Sequence, residues 1–205
     1  MTSIPSSSSA SRSFLILHGW QNRRPEGHWQ HWLAGELAAR GQGVTYPQLP
    51  DPDHPSLTSW LDRLHAHLDA QEHERVVVCH SLAVPLWLHA AVRGTVRADR
   101  VLLVAPPSEA VIAGYEDIAG FGRSGATAAH LRAAAPVTRL VAADNDPYCP
   151  GGAATEYGVP LGLDTDVVPG GAHLDLEAGY GSWPSALSWC LDETTRIAPR
   201  PPNAP

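Results

Sequence analysis

The segment from residue 75 to 88, RVVVCHSLAVPLWL, constrains the fold of this chain more than any other. Three consecutive valines, Val76–Val78, indicate a strand that is buried on both faces, as in a parallel sheet. Leu82–Val92 then predicts a helix, because Pro85 falls in its first turn, where no helical hydrogen bond is lost. The strand and the helix meet at Ser81, so this serine lies on a very tight turn.

The neighbours of Ser81 favour one use of that turn. Cys79 and Ala83, two residues before and two after the serine, are small, as required where a serine in a left-handed backbone conformation projects out of a sheet. In this arrangement, a nucleophile elbow, the N–H of Leu82 can donate to the oxygen of a bound acyl group. The glycines usual at both flanks are absent, so a serine that only caps a core helix is the alternative.

Short apolar runs that end in polar loops alternate with helical patterns along the rest of the chain. The predicted strands cover residues 14–18, 44–46, 75–80, 100–105, 137–142 and 164–168. The predicted helices cover residues 28–40, 56–70, 82–92, 127–134, 151–157 and 183–196. This alternation predicts an α/β fold in which right-handed crossovers join the strands of one parallel sheet.

The length of 205 residues suits one domain with a substantial core, and we predict that this domain spans residues 14–196. The Ser-rich residues 1–13 and the Pro-rich residues 197–205 are predicted to be disordered tails. Residues 106–136 are rich in glycine and alanine and are the hardest to interpret. Because they lead away from a strand end, they are a candidate for a small cap over a site at that edge.

Three side chains with complementary chemistry, Ser81, Asp146 and His173, each follow a predicted strand. The carboxyl ends of parallel strands share one edge of the sheet, where ligands bind in such folds, so we expect the three to meet there. A serine hydroxyl needs a base to take its proton, and His173 would be that base. An imidazole needs a carboxylate to orient it, and Asp146 would supply one. The chain order Ser, Asp, His is that of α/β-hydrolases.

Two other carboxylates compete with Asp146 for this role. Asp144 lies in the same loop, nearer the strand end. Asp175 lies two residues after His173 and would have to fold back towards it. The sequence therefore favours Asp146, with Asp144 as the first alternative.

The dipeptide His18-Gly19 ends the first predicted strand at the same edge. In α/β-hydrolases the loop after a strand in this position supplies the second N–H of the oxyanion hole. Here that donor is the backbone N–H of Trp20 or, alternatively, of Gln21, and the ring of Trp20 is placed to form a wall of an acyl pocket. We expect His18, Gly19 and Gln21 to contact the substrate. A buried strand-end turn without such a role is the alternative.

Composition excludes several other classes of function. A net charge of −7 disfavours nucleic acids and anionic membranes as partners, and no apolar run approaches the roughly 20 residues that cross a bilayer. The chain has no lysine, which excludes a Schiff-base lysine. The three cysteines are widely spaced, so we predict no disulfide framework, no metal and no cofactor. Solvated helix surfaces are predicted for the histidines outside these motifs, His28, His31, His65 and His67.

Several further motifs match those of one known family. They are His18-Gly19-Trp20-Gln21 with His28-Trp29 and Trp32 downstream, His80-Ser81-Leu82, Asn145-Asp146-Pro147-Tyr148, and Gly171-Ala172-His173 followed by Gly179-Tyr180-Gly181-Ser182-Trp183-Pro184. On these residues the chain resembles, from about residue 14 to 193, the small serine hydrolases of the YdeN and retinoblastoma-binding-protein type. The Asp-Pro-Tyr and His…Gly-x-Trp-Pro elements are the more specific ones, since many hydrolases share the others.

The resemblance implies a reduced α/β-hydrolase fold, with about six parallel strands, helices on both faces and no large lid. It also implies Ser81, Asp146 and His173 as the triad. The chain departs from the family pattern in two places. Ala83 replaces the usual glycine after the elbow, and residues 106–136 are longer and richer in glycine and alanine than the family leads one to expect.

These observations predict a serine hydrolase that cleaves a small ester or thioester through an acyl-enzyme on Ser81. One alternative is a biosynthetic acyltransferase, thioesterase or cyclase with the same triad, and another is a non-catalytic binding module on the hydrolase scaffold. The expected partner is a small-molecule acyl substrate. The lack of a signal-peptide pattern predicts a cytoplasmic location. The sequence does not predict an oligomeric state.

Overall fold

The computed structural model describes residues 12–201, and its centre is a sheet of six parallel strands. The strands are β1 Arg12–Leu17, β2 Gly43–Thr45, β3 Glu74–His80, β4 Arg100–Val104, β5 Val137–Ala143 and β6 Asp164–Val168. Their order across the sheet is β2-β1-β3-β4-β5-β6. The predicted parallel α/β fold is therefore confirmed, and β3, which precedes Ser81, lies in the interior of the sheet.

Helices cover both faces of this sheet. They are α1 Trp29–Ala39, α2 Leu57–Asp69, α3 Ala83–Val92, α4 Glu109–Ala113, α5 Ala128–Ala134, α6 Val159–Leu161 and α7 Pro184–Leu191, with a 3₁₀ helix at Glu116–Phe121 and a π-helix at Ala154–Gly158. Among residues 12–201, no helix combines the length and the hydrophobicity needed to cross a membrane.

Alternate residues of β1 show how the sheet is buried on both sides. Phe14 and Ile16 pack into the core that α1 and α7 cover, whereas Leu15 and Leu17 pack into the core that α2 and α3 cover. The valine run of β3 divides between the two cores in the same way. Since successive side chains of a strand point to opposite faces, a continuous apolar run is what a doubly covered sheet requires.

The segment 106–136 forms a wall beside the sheet edge instead of a large lid. It contains α4, the 3₁₀ helix and α5; the 3₁₀ helix and α5 contact α3, and α4 contacts the 3₁₀ helix. His89 of α3 bonds through Nε2 to the carbonyl oxygens of Phe121 and Gly122, each at 3.2 Å. Ile118 and Phe121 are buried in the core that includes α3. The segment is thus attached to the body of the domain over much of its length.

Described residues just outside both predicted ends of the domain also contact it. Strand β1 begins at Arg12, two residues inside the predicted tail. Ile197 is buried and its N–H donates to Asp166 Oδ2 at 2.9 Å, and the carbonyl of Ala198 accepts from the indole of Trp183 at 2.8 Å. Residues 197 and 198 are therefore attached to the body of the domain. The remaining residues of the predicted tails, 1–11 and 202–205, lie outside the described part of the chain.

The last helix, α7, ends at Leu191, although the sequence pattern predicts a helix to residue 196. Two arginines from distant strands replace the bonds that a longer helix would make. The guanidinium of Arg100 donates to the carbonyl oxygens of Trp189 and Cys190 at 3.2 and 3.0 Å. That of Arg12 donates to the carbonyl of Leu191 at 2.9 Å. The orphan carbonyls of the helix end are thereby satisfied.

Arg100 is only 3% exposed and also donates from Nε to Glu74 Oε1 at 2.8 Å. We predict that Arg100→Ala lowers the free energy of unfolding by about 2–4 kcal/mol, because it leaves buried carbonyls and part of a carboxylate unpaired. Urea unfolding measures this change. The exposed pair Arg40–Glu36 offers a control, since Arg40→Ala is expected to cost under about 0.5 kcal/mol. Equal losses of unfolding free energy in the two variants would contradict a stabilising role for Arg100 at the end of α7.

Candidate active site

Ser81 lies between β3 and α3 with φ of +55°, in the left-handed region. Its N–H donates to the carbonyl of Val104 at 2.9 Å, so its backbone extends the β3–β4 ladder by one residue. The residue that precedes α3 is Leu82, and no side chain caps the helix. Ser81 is therefore not a helix cap, and the alternative of a capping serine is wrong. The backbone has the geometry of the nucleophile elbow.

The three predicted triad side chains form one hydrogen-bonded row. The hydroxyl oxygen of Ser81 lies 2.9 Å from Nε2 of His173. Nδ1 of the same ring lies 3.0 Å from Oδ2 and 3.1 Å from Oδ1 of Asp146. The carboxylate can only accept, so Nδ1 carries a proton, and Nε2 is placed to accept the proton of the serine hydroxyl. This is the arrangement that a serine nucleophile and its base require.

The structure also distinguishes Asp146 from the two competing carboxylates, Asp144 and Asp175. Asp146 is 3% exposed, and its Oδ1 accepts from the N–H of Tyr148 at 2.9 Å, which fixes the carboxylate towards His173. Asp144 is exposed and instead accepts from the N–H of Gly170 at 2.7 Å. Asp175 accepts from the N–H of Ala178 at 2.9 Å. Neither rival is therefore bonded to the imidazole.

The loop that carries His173 is held in an unusual backbone conformation. Its neighbours Ala172 and Leu174 have φ of +46° and +51°, in the region that non-glycine residues rarely adopt. The side chain of Asn145 accepts from the N–H of Ala172 at 2.8 Å. The ring of Tyr148 packs on the imidazole of His173 with 4.4 Å between ring centres. Contacts of this kind are needed to maintain a strained loop.

Two backbone N–H groups are available beside Ser81 for an oxyanion. In the described part of the chain, neither the N–H of Trp20 nor that of Leu82 donates to a backbone carbonyl. The N–H of Gln21, by contrast, donates to the carbonyl of Pro52 at 2.8 Å. Of the two backbone N–H groups that the sequence offered as the second donor, that of Trp20 is therefore the one without a backbone partner.

His18 does not contact the cavity, and its predicted role in substrate binding needs correction. The ring is fully buried and both of its nitrogens are used. Nδ1 donates to the carbonyl of Gly19 at 2.8 Å, and Nε2 accepts from the N–H of Leu49 at 2.8 Å. In a trans peptide the C=O and the following N–H point in opposite directions. By holding the carbonyl of Gly19, His18 therefore fixes the direction of the N–H of Trp20.

Gly19 brings this loop into direct contact with the serine. A Cβ atom built on Gly19 would lie 2.6 Å from Cβ and 3.0 Å from Oγ of Ser81. No side chain fits there without moving one of the two segments. The glycine thus permits the backbone of residues 19 and 20 to approach the hydroxyl.

A cavity of about 640 Å³ opens over Ser81 and His173. Gly19, Trp20 and Gln21 line it, and so do apolar and aromatic side chains that include Val111, Tyr115, Ile118, Tyr148 and Leu176. The ring of Trp20 packs edge-on against that of Tyr115, with 5.0 Å between ring centres. Among the described residues, Tyr115, Tyr148 and Leu176 also belong to the few large hydrophobic side chains that remain exposed. An exposed apolar surface of this kind is typical of a ligand site.

Two histidines beside the cavity, His28 and His80, are buried. His28 is 2% exposed and lines the cavity, so its predicted place on a solvated surface is wrong. Burial lowers its pKa to about 4, so the ring is neutral at pH 7. His80 is equally buried, and burial lowers its pKa well below the ordinary value. Both rings are in contact, with 5.3 Å between their centres. The motif His28-Trp29 was the only sequence signal for the first of them.

The described residues contain no group of side chains arranged as metal ligands. All three cysteines are buried and free, and burial is the main cause that raises the pKa of Cys149 to about 12. In residues 12–201 no group of three His, Cys, Asp or Glu side chains has a geometry that could hold a metal ion.

The geometry predicts unequal effects for the two neighbouring aspartates. Asp146→Asn should slow the labelling of Ser81 by a fluorophosphonate probe by roughly 10³–10⁴-fold, because an amide cannot keep His173 in the required tautomer. Asp144→Asn should change the rate by less than about threefold, since the amide oxygen still accepts from Gly170. Intact-protein mass spectrometry follows the labelling. A larger effect at residue 144 than at residue 146 would refute the assignment.

Comparison with known proteins assigns the chain to a family. A model of the serine hydrolase family matches residues 14–191. A hydrolase of Bacillus subtilis named YdeN is 31% identical over 77 residues, which cover 38% of this chain and 40% of that protein. The matched stretch thus spans less than half of this curated relative.

Solved structures extend the likeness of the fold to the whole domain. The crystal structure of the ydeN gene product from B. subtilis has a TM-score of 0.77 at 19% identity and covers 90% of this chain and 98% of that one. A YdeN-like hydrolase from Pectobacterium atrosepticum has a TM-score of 0.65 at 18% identity, with 87% and 88% covered. The family model, which covers most of the chain, establishes that the protein belongs to the serine hydrolase family, and the solved structures show that its reduced α/β-hydrolase fold is similar to that of the YdeN proteins.

Proposed function

We propose that this protein cleaves small esters or thioesters through a covalent acyl-enzyme on Ser81. The observation that carries the proposal is the hydrogen-bonded row of Ser81, His173 and Asp146, with spacings of 2.9 and 3.0 Å, at the base of a cavity with free backbone donors. Membership of the serine hydrolase family supports hydrolysis as the reaction class.

In the first half of the reaction, Oγ of Ser81 attacks the carbonyl carbon of the substrate. Nε2 of His173 takes the hydroxyl proton, and the imidazolium that forms is stabilised by Asp146. The negative charge on the carbonyl oxygen is met by the N–H groups of Trp20 and Leu82, and the latter also lies at the positive end of α3. The proton on Nε2 then passes to the leaving alcohol or thiol as its bond to the acyl carbon breaks.

In the second half, water replaces the leaving group. Nε2 of His173 takes a proton from that water, and the hydroxide attacks the acyl carbon on Ser81. The same two N–H groups stabilise the second tetrahedral intermediate. When it collapses, the proton returns to Oγ and the carboxylic acid is released. No group other than these side chains and water is needed for the proton balance.

The cavity limits the size and character of the substrate. A volume of about 640 Å³ lies in the range of ordinary small-ligand pockets. Val111, Tyr115 and Ile118 from the 106–136 segment give it an apolar wall. We therefore infer that the acyl or alcohol part of the substrate is a small hydrocarbon or aromatic group.

A chromogenic ester such as p-nitrophenyl acetate tests the proposal. Rapid mixing should show a burst of p-nitrophenol equal to the enzyme concentration if deacylation limits turnover, and trapped protein should carry one acetyl group on Ser81. Ser81→Ala should lower kcat by roughly 10⁵–10⁶-fold with unchanged thermal unfolding. Failure of folded wild-type protein to acylate at Ser81 with any ester, thioester or fluorophosphonate would favour a binding module instead.

Acyl transfer to an acceptor other than water would use the same residues. Added hydroxylamine separates the two reactions, because it competes with water for the acyl-enzyme. A hydrolase should still release mostly carboxylic acid at low hydroxylamine concentration. Product that is almost entirely hydroxamate, with very slow release of acid in its absence, would favour an acyltransferase.

Gly19 offers a test of the oxyanion site. Gly19→Ala should lower kcat by roughly 10²–10³-fold, because the new methyl group displaces the backbone that carries the N–H of Trp20. Gly35→Ala is the matched control, since Gly35 lies inside α1 with nothing within 4 Å of its added Cβ. It should leave kcat unchanged and slightly raise stability. Loss of less than about threefold for Gly19→Ala would argue against this oxyanion site.

A further inference from the structure

We propose that His28 and His80 form a hydrogen-bonded imidazole pair that positions His173, with His28 donating to His80 and His80 donating to the main-chain carbonyl of His173. The inference rests on the proposed function, in which His173 is the base. His28 and His80 would be positioning residues and would not touch the substrate's reacting atoms.

The bond between His80 and His173 determines the tautomer of His80. Nε2 of His80 lies 3.0 Å from the carbonyl oxygen of His173. A carbonyl oxygen can only accept, so Nε2 carries the proton. The ring is 2% exposed and neutral, and its other nitrogen, Nδ1, is then an acceptor. No hydrogen-bond partner for Nδ1 is present among the described residues.

The tautomer of His28 follows from the start of α1. His28 is the N-cap of this helix, and its Nδ1 accepts from the backbone N–H of Gln30 at 3.2 Å. A ring nitrogen that accepts carries no proton, so the proton of the neutral ring is on Nε2. Nε2 is buried and also has no partner in the described part of the chain.

The two unpaired nitrogens are complementary and adjacent. His28 has a buried donor and His80 a buried acceptor, and their ring centres are 5.3 Å apart in an edge-on arrangement. The rings lie between Trp29, which contacts both, and His173, which contacts His80 at 5.1 Å. Buried polar groups are nearly always paired, so a small rotation that joins these two is favoured over two unsatisfied groups. The pair then links the start of α1 to the loop of the base.

The backbone of His173 needs such support. Its two neighbours have left-handed backbone conformations, and two glycines precede them, so the loop has little intrinsic preference for this shape. Asn145 holds the N–H of Ala172, and Asp146 holds the imidazole. His80 holds the remaining part of this residue, because its ring donates to the main-chain carbonyl of His173. Displacement of a base by about 1 Å can cost on the order of 10²-fold in rate.

Substitutions at His80 test the positioning role. His80→Leu removes the donor and should lower kcat by roughly 10–100-fold, with KM within about threefold of the wild type. His80→Gln keeps an amide N–H near the position of Nε2 and should recover at least a tenth of the wild-type rate, several-fold above the leucine variant. Rates are expressed per Ser81 that a fluorophosphonate titrates, and thermal unfolding is recorded for each variant. Equal rates per titrated site in the leucine variant and the wild type would overturn the proposal.

Substitutions at His28 isolate the bond between the two rings. His28→Asn keeps an oxygen that can cap α1, since asparagine is a favoured N-cap residue, but its shorter side chain has no N–H at the position of Nε2 that could donate to His80. It should lower kcat by about three- to tenfold without a comparable loss of thermal stability. In the His80→Leu background the same change should have no further effect on kcat. Independent, multiplicative effects of the two substitutions would refute the pair.

Nuclear magnetic resonance on protein labelled with ¹⁵N-histidine tests the hydrogen bond directly. Both His28 and His80 should be neutral with the proton on Nε2, and a coupling across the hydrogen bond should join Nε2 of His28 to Nδ1 of His80. A proton on Nδ1 of either ring would exclude the proposed chain. These readouts do not depend on turnover. If the wild-type protein is not acylated at Ser81, the proposed function is refuted. If it is acylated but His28 or His80 has the other tautomer, only this inference is refuted.

Discussion

The left-handed turn at Ser81 is the constraint on which the rest of the site depends. A non-glycine residue in this conformation costs on the order of 1–2 kcal/mol, so something must hold it. The burial of β3, which precedes Ser81, and of α3, which follows it, holds the turn in place. Strand β3 lies inside the sheet, and nearly all of α3 is hidden between the sheet and its neighbours. Neither element can relax the turn without exposing apolar surface, so the hydroxyl stays at the sheet edge.

The pairing of the last two strands fixes the positions of the other two side chains, Asp146 and His173. Ala143 of β5 pairs with Val168 of β6, so the loops that follow leave the sheet side by side. The three consecutive side chains of residues 144–146 then all bond to the loop at 170–173. Two of these bonds hold backbone and one holds the imidazole. A single pairing of strands thus sets the distance from carboxylate to base.

Local patterns were sufficient to predict the strands, the starts of most helices and the loops that carry the three central side chains, but not α4 or the 3₁₀ helix within residues 106–136. Features that depend on distant contacts were missed. The end of α7 is set by Arg12 and Arg100, which lie far away in sequence. The burial of His28 follows from its contact with His80, and the helix periodicity gives no sign of it. Which of the N–H groups of Trp20 and Gln21 is left free depends on the carbonyl of Pro52, which lies in another loop.

One apolar wall of the cavity, formed by Val111, Tyr115 and Ile118, stands on a different part of the chain from the candidate triad. The wall comes from α4 and the 3₁₀ helix, which are anchored through His89 to α3. The hydroxyl, imidazole and carboxylate stand at strand ends that this segment does not build. Changes in length or sequence within residues 109–121 can therefore alter which molecules fit while the reacting atoms keep their places. Selectivity can diverge among relatives at this segment without rebuilding the chemistry.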